Sequence, residues 1–186
     1  MGLKQKISGF IFHRVLGWKE VVSVPDYDKC VICVAPHTSN WDLPVGKLFY
    51  WSIGRKTNFM MKKDWFFFPL GNIFRAMGGV PVDRSRKMSL VDQMAAEFDK
   101  HKKFCLALTP EGTRQRNPEW KKGFYYIALQ AGVPIVLAAF DFPTKTITMG
   151  KAIIPSGDID KDMREIKLFY KDFRGKIPEN FDLGTY

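Results

Sequence analysis

This chain has few cysteines, few histidines and no long apolar run, and each shortage excludes a class of protein. Three cysteines in 186 residues is an odd number and does not build the disulfide framework of a small secreted domain. Cys30 and Cys33 are spaced C-x-x-C, but they fall in an apolar run that reads as a strand, where residues three apart point to opposite faces. No stretch reaches the ~18 consecutive apolar residues of a membrane span, because Lys or Pro interrupts every apolar window. The N-terminus has no small-residue cleavage site, and Lys6 stands where a myristoylation signal wants Ser or Thr. No cluster of metal ligands and no G-x-S-x-G elbow is present. The basic residues are scattered, with no helix-turn-helix or RNA-recognition signature, so nucleic acid is not the expected partner. Repeats, linkers and low-complexity tracts are missing as well. A reduced, cytoplasmic setting follows.

What is present is positive charge and aromatic surface. Lys and Arg total 29 against 19 acids, a net +10. Such a surplus suits anionic membranes or phosphorylated substrates. The length and the 46% hydrophobic content fit one domain with a sizeable core, over residues 1–186. Leu3, Ile7, Phe10, Ile11, Val15 and Trp18 share one stripe of a helix over residues 1–19. Two readings stay open for it: a membrane-surface helix, or a stripe docked on the domain's own core. Trp65, Phe66, Phe67 and Phe68 are consecutive, so a helix cannot turn all four to one core. Residues 175–186 read as a loosely held tail.

Buried strands are expected at Cys30–Ala35, Asn58–Met61, Gly79–Val82, Phe104–Leu108 and Pro134–Phe140, with a more exposed strand at Thr144–Met149. Helices fall between them, at Trp41–Ile53, Ser89–His101 and Gly123–Ala131, with Asp158–Phe173 closing the domain. This alternation implies an α/β fold: a single, mainly parallel sheet flanked by helices on both faces. Ligands bind such sheets beyond the carboxyl ends of the strands. Three groups stand there: His37 to Asp42, Asp83 with Arg84, and Glu111 to Arg114.

The first group is the corner of CVICVAPHTSNWDLPVG. Pro36 ends the strand, and Thr38, Ser39 and Asn40 suit a helix start. His37 thus sits on the corner, and Asp42 lies in the first turn beyond it. Folded back over that turn, the ring can give one nitrogen to Asp42 and keep the other as a base. Leu43, Leu48, Tyr50 and Trp51 surround the helix, with Lys47 contributing its stem.

H-T-S-N-W-D resembles the H-x-x-x-x-D signature of the glycerolipid acyltransferases. VPVDR (80–84), PEGTR (110–114) and VPIV (133–136) resemble their second, third and fourth blocks, in the same order. The closest resemblance is to 1-acyl-glycerol-3-phosphate acyltransferases. It implies transfer of an acyl group from a thioester, on coenzyme A or acyl carrier protein, to a lyso-lipid hydroxyl. No bound cofactor and no metal is implied. His37 would be the base and Asp42 its orienter. Arg84, Glu111, Gly112, Thr113 and Arg114 would bind the acceptor, with Pro134 shaping the pocket. The implied acceptor is 1-acyl-glycerol-3-phosphate, and a lyso-aminolipid would use the same base. The enzyme would work on a peripheral membrane surface, the inner face of a cytoplasmic membrane. The rival from another class is a lipid-binding protein without catalysis.

Overall fold

The computed structural model describes residues 2–83, 85 and 88–185. Seven strands form one sheet: β1 (Lys19–Val22), β2 (Lys29–Ala35), β3 (Asn58–Lys62), β4 (Gly79–Val82), β5 (Phe104–Leu108), β6 (Ile135–Asp141) and β7 (Thr146–Ile153). Their order is β1-β7-β6-β2-β5-β3-β4. Every pairing is parallel except β6 with β7. The helices are α1 (Leu3–Phe10), α2 (Asp42–Ser52), α3 (Leu70–Ala76), α4 (Leu90–Lys100), α5 (Gly123–Ala131) and α6 (Ile159–Tyr170).

The period of 2 in the central strands divides the core into two layers. Val31, Cys33 and Ala35 of β2 join Ile135, Leu137 and Ala139 of β6 under Phe98, Tyr125, Ile166 and Tyr170 of α4, α5 and α6. Cys30 and Ile32 join Val136, Ala138 and Phe140 under Phe12, Phe49 and Tyr50. Cys30 and Cys33 therefore lie in different layers, both as free thiols. The sheet is covered on both faces, as buried parallel strands require. β7 runs to Ile153, four residues past the expected end, because it turns back against the whole length of β6.

The N-terminal segment resolves both readings of its stripe in an unexpected way. α1 lies against α2 through its small and polar side: Ser8 is buried, and Gln5 Nε2 donates to the Ser52 carbonyl (3.2 Å). Leu3, Ile7 and Phe10 face outward with 75%, 51% and 62% exposure. A π-helical turn over Ile11–Val15 then breaks the 3.6-residue period. Phe12 and Trp18 enter the core, while Val15 stays exposed. Docking on the core is thus wrong for most of the stripe, and Trp18 does not share its face. Among the described residues, no helix is long and apolar enough to cross a membrane.

The tail is also a correction. Gly175 is buried against Thr38 and Pro36, so closely that a Cβ there would sit 2.4 Å from Thr38 Oγ1. Ile177 N–H donates to Thr38 Oγ1 (3.2 Å), and Asn180 Nδ2 to the Arg114 carbonyl (3.1 Å). Asp182 then accepts from Arg116 Nε (2.8 Å) through its carboxylate and from Trp120 Nε1 (2.9 Å) through its carbonyl. The tail ties the corner after β2 to the loop after β5. Local sequence carries no sign of this, since every partner is distant in the chain.

Candidate active site

β2, β5, β3 and β4 run the same way, so their carboxyl ends share one edge of the sheet. His37 stands at that edge two residues beyond β2, and α2 begins at Asp42. The turn between them is built from its own side chains. Asp42 Oδ2 accepts from Ser39 N–H (3.0 Å), and Ser39 Oγ accepts from Trp41 N–H (3.2 Å). The Ser39 hydroxyl therefore braces the turn before α2, but it does not cap the helix as expected: the N-cap position falls on Trp41, without a side-chain cap bond. The backbone donors of Ser39 and Trp41 are likewise committed to the turn.

The turn brings His37 Nδ1 to 2.8 Å from Asp42 Oδ2. In the tautomer with the proton on Nδ1, the ring donates to the carboxylate and Nε2 is the nitrogen that keeps its lone pair. Asp42 is 4% exposed. Its Oδ1 has no partner among the described residues, so the carboxylate is held in low dielectric and aimed at the ring.

Glu111 acts from beneath. It follows β5 by three residues and is 2% exposed. Its Oε1 accepts the backbone N–H of His37 (2.8 Å), while Oε2 is buried without a partner among the described residues. Burial pushes its carboxyl up to about 7, against the lowering pull of the His37 N–H. Glu111 thus faces inward and supports the corner, where direct acceptor binding was expected. Gly112 follows with φ of +67°, a left-handed turn that a side chain resists. The turn carries Arg114 out to the same edge. Arg114 is exposed, with no carboxylate paired to it among the described residues. Thr113 Oγ1 accepts from Gln115 N–H (3.2 Å) and holds the loop.

One expected position falls elsewhere. Pro134 lies at the opposite edge of the sheet: its carbonyl accepts from Val31 N–H (3.0 Å), at the start of β2. It shapes no pocket at His37, because β6 runs parallel to β2 and only its carboxyl end reaches that edge. Arg84 lies outside the described residues.

A cavity of about 480 Å³ opens beside His37 and Asp42 and runs between α2 and the sheet. Gly112 and Arg114 line its mouth side; Val34, Phe49, Tyr50, Phe59, Met60 and Phe140 give it apolar walls. Sequence reasoning passed over this space, since its walls come from six strands and two helices. Lys47 also lines it, with its ammonium buried as well as its stem. Among the described residues, no three His, Cys, Asp or Glu side chains gather to hold a metal ion. The site offers an oriented imidazole, an exposed guanidinium and a long apolar slot.

Comparison with known proteins converges on the same segment. Residues 19–140, from β1 almost to the end of β6, match the Acyltransferase family. The chain is 33% identical over 137 residues to a 1-acyl-sn-glycerol-3-phosphate acyltransferase of Cocos nucifera, covering 70% of this chain and 44% of that protein. It is 30% identical over 173 residues to the 1-acyl-sn-glycerol-3-phosphate acyltransferase BAT2, chloroplastic, of Brassica napus, covering 87% of this chain and 49% of that protein. The chain spans less than half the length of these relatives. The fold is similar to the crystal structure of the 1-acyl-sn-glycerophosphate (LPA) acyltransferase PlsC of Thermotoga maritima, with a TM-score of 0.57 and 19% identity over 92% of this chain and 81% of that one. The matched segment contains the His37–Asp42 corner and the Glu111–Arg114 loop, and by that match the chain belongs to the Acyltransferase family.

Proposed function

We propose that this protein transfers a fatty acyl group from a thioester, on coenzyme A or acyl carrier protein, to the hydroxyl of a lysophospholipid, 1-acyl-glycerol-3-phosphate in the first place. The observation that carries the reading is the His37–Asp42 pair at the mouth of a mostly apolar cavity. The names of the relatives point to the same acceptor.

In this reading the acyl chain lies in the slot with its thioester carbonyl at His37. Nε2 takes the proton of the acceptor hydroxyl as its oxygen attacks that carbonyl. The tetrahedral intermediate then collapses, the C–S bond breaks, and the leaving sulfur takes the proton from Nε2 and departs as the thiol, which restores the neutral base. Asp42 keeps the proton of Nδ1 in place and stabilises the imidazolium between the two steps. General-base help of this kind contributes roughly 10²–10⁴ in rate. Arg114 overhangs the mouth and suits a phosphate, because its planar fork makes paired, charge-assisted bonds. Gly112 and Thr113 shape the loop that presents it, and Arg84 is proposed as a second cation.

The exposed apolar residues fit work at the inner face of a cytoplasmic membrane. Trp65, Phe67, Phe68 and Ile73 follow the carboxyl end of β3, and Trp41 and Leu43 flank the start of α2. All six are between 45% and 86% exposed. Lys176 stacks over Trp41 (4.9 Å) and Arg75 over Phe66 (5.3 Å), so cations accompany the aromatic rings, as at a membrane interface. The outward face of α1 adds Leu3, Ile7 and Phe10.

The test is a thiol-release assay with acyl-CoA and acyl carrier protein donors, run with and without a panel of lyso-acceptors, followed by mass spectrometry of the lipid. Acceptor-dependent thiol release with a diacyl product is expected. Release without any acylated lipid would make the protein a thioester hydrolase. Binding of lipid with no release from any donor would make it a lipid-binding protein.

A further inference from the structure

Lys47 of α2 is 5% exposed and takes no part in the chemistry at His37. Its Nζ donates to the Thr57 carbonyl (2.7 Å) and to Thr57 Oγ1 (2.9 Å), and lies 4.8 Å from the Phe59 ring centre. An ammonium has three N–H donors, so these bonds leave one unmatched. Among the described residues no carboxylate pairs with it. The nearby charge is that of Lys4, of the same sign, and burial with Lys4 pulls the ammonium down to about 8. Burying a cation without a counter-charge is costly. Yet this one lines the wall of an otherwise mostly apolar cavity, together with Thr57.

Its place along the cavity is fixed by strand register. Thr57 directly precedes β3; the next residue, Asn58, pairs with Leu106, and Leu106 with Val31. Val31 is four residues from the end of β2, a rise of roughly 13 Å, and His37 lies beyond that end. The ammonium is therefore anchored at the inner end of the slot, far from the base.

We infer that Lys47 and Thr57 form a polar subsite at the inner end of the acyl slot, and that the slot takes acyl chains bearing an oxygen acceptor, a hydroxyl group, far from the thioester. This rests on the reading of the cavity as the acyl slot. An unsubstituted chain brings only C–H groups against the ammonium and strips it of solvent without replacing a bond. A chain hydroxyl supplies the missing acceptor, in a setting of low dielectric where a charge-assisted bond is strong.

The experiment uses nonhydrolysable thioether analogues of the donor, of one chain length, unsubstituted or hydroxylated at a mid-chain or terminal carbon. Their binding to the wild type, Lys47→Met and Lys47→Arg is measured by calorimetry, beside kcat/KM for the matching thioesters. Wild type should bind at least one hydroxylated chain about tenfold or more tightly than the plain chain, in keeping with a charge-assisted bond. Lys47→Met should lose that preference while binding the plain chain as well or better, and Lys47→Arg should keep part of it. If the Met variant fails to fold, Lys47→Leu, which also lacks a donor, is read in the same way. A wild type with no preference for any hydroxylated chain would overturn the subsite. So would a Met variant that weakens both chains equally, since Lys47 would then be only a strut to Thr57. The binding arm needs no turnover: a hydroxyl preference without transfer to any acceptor would sink the transferase reading and leave the subsite standing. Failure of every analogue to bind would sink the slot and the subsite together.

Discussion

Replacing Glu111 with Gln removes one buried charge while keeping the acceptor that holds the His37 N–H. The carboxyl is pushed from its ordinary 4.5 up to about 7, chiefly by burial. Below pH 4.5 the folded and unfolded chains both hold the proton, and nothing is lost. Between about 4.5 and 7 the unfolded chain has released it while the folded chain keeps it, so stability falls as pH rises. Above 7 the folded chain has ionised too and the loss is complete. At 1.36 kcal/mol per unit, the loss incurred between pH 5 and pH 8 is roughly 2–3 kcal/mol. Gln cannot ionise and escapes it. The amide does place an N–H₂ where Oε2 has no partner, which costs about 1–3 kcal/mol at every pH. The decisive quantity is therefore the change with pH, not the offset. Guanidinium unfolding of both proteins at pH 5 and pH 8 measures it. The stability difference, Gln minus Glu, should rise by roughly 2–3 kcal/mol between the two. Parallel stabilities across this range would refute the account of Glu111 as a buried, uncompensated carboxylate.

Three further outcomes are expected. Arg114→Lys keeps the charge and loses the fork, so it should raise the acceptor KM several-fold and leave the donor KM nearly unchanged; wild-type preference for a phosphate-bearing acceptor over a neutral analogue should shrink in Arg114→Ala, and an unchanged preference would point to a non-phosphate lyso-lipid such as a lyso-aminolipid. Phe67→Ser with Phe68→Ser should weaken sedimentation with anionic vesicles while leaving transfer to a soluble short-chain acceptor intact; equal losses in both assays would place these rings in the fold and not at a membrane. Thr38→Val removes the acceptor for Ile177 N–H, and Asn180→Ala the donor to the Arg114 carbonyl; kcat should fall several-fold in each with the melting temperature little changed, whereas a drop in stability alone would make the tail a clasp with no bearing on the site.

Much of the fold is legible because buried parallel strands are continuous apolar runs. Cys30–Ala35, Phe104–Leu108 and Gly79–Val82 announce themselves, and Gly132 marks the end of α5 as a left-handed cap. The His37–Asp42 contact is legible because it is local, closed by a turn of five residues. Other features are not, and for identifiable reasons. The π turn at Ile11–Val15 shifts the helical period, so a stripe counted at 3.6 residues misplaces Trp18. Pro134 lies within a block that resembles the family's fourth, yet only strand direction says which sheet edge it occupies. Glu111 reads as an acceptor-binding carboxylate, and its burial under His37 depends on a partner 74 residues away. The charge of Lys47 reads as solvent-facing, but the helix turns it toward Thr57 across the cavity.

The central claim is that His37, held by Asp42, takes the proton from a lyso-lipid hydroxyl as it attacks a thioester. It is tested most directly by quantifying diacyl product by mass spectrometry for wild type, His37→Ala and Asp42→Asn, each shown to be folded, under identical donor and 1-acyl-glycerol-3-phosphate. Wild type should form the product; His37→Ala should fall by roughly 10²–10⁴ in kcat, and Asp42→Asn by less. Folded His37→Ala protein that still turns over at close to the wild-type rate would contradict the account.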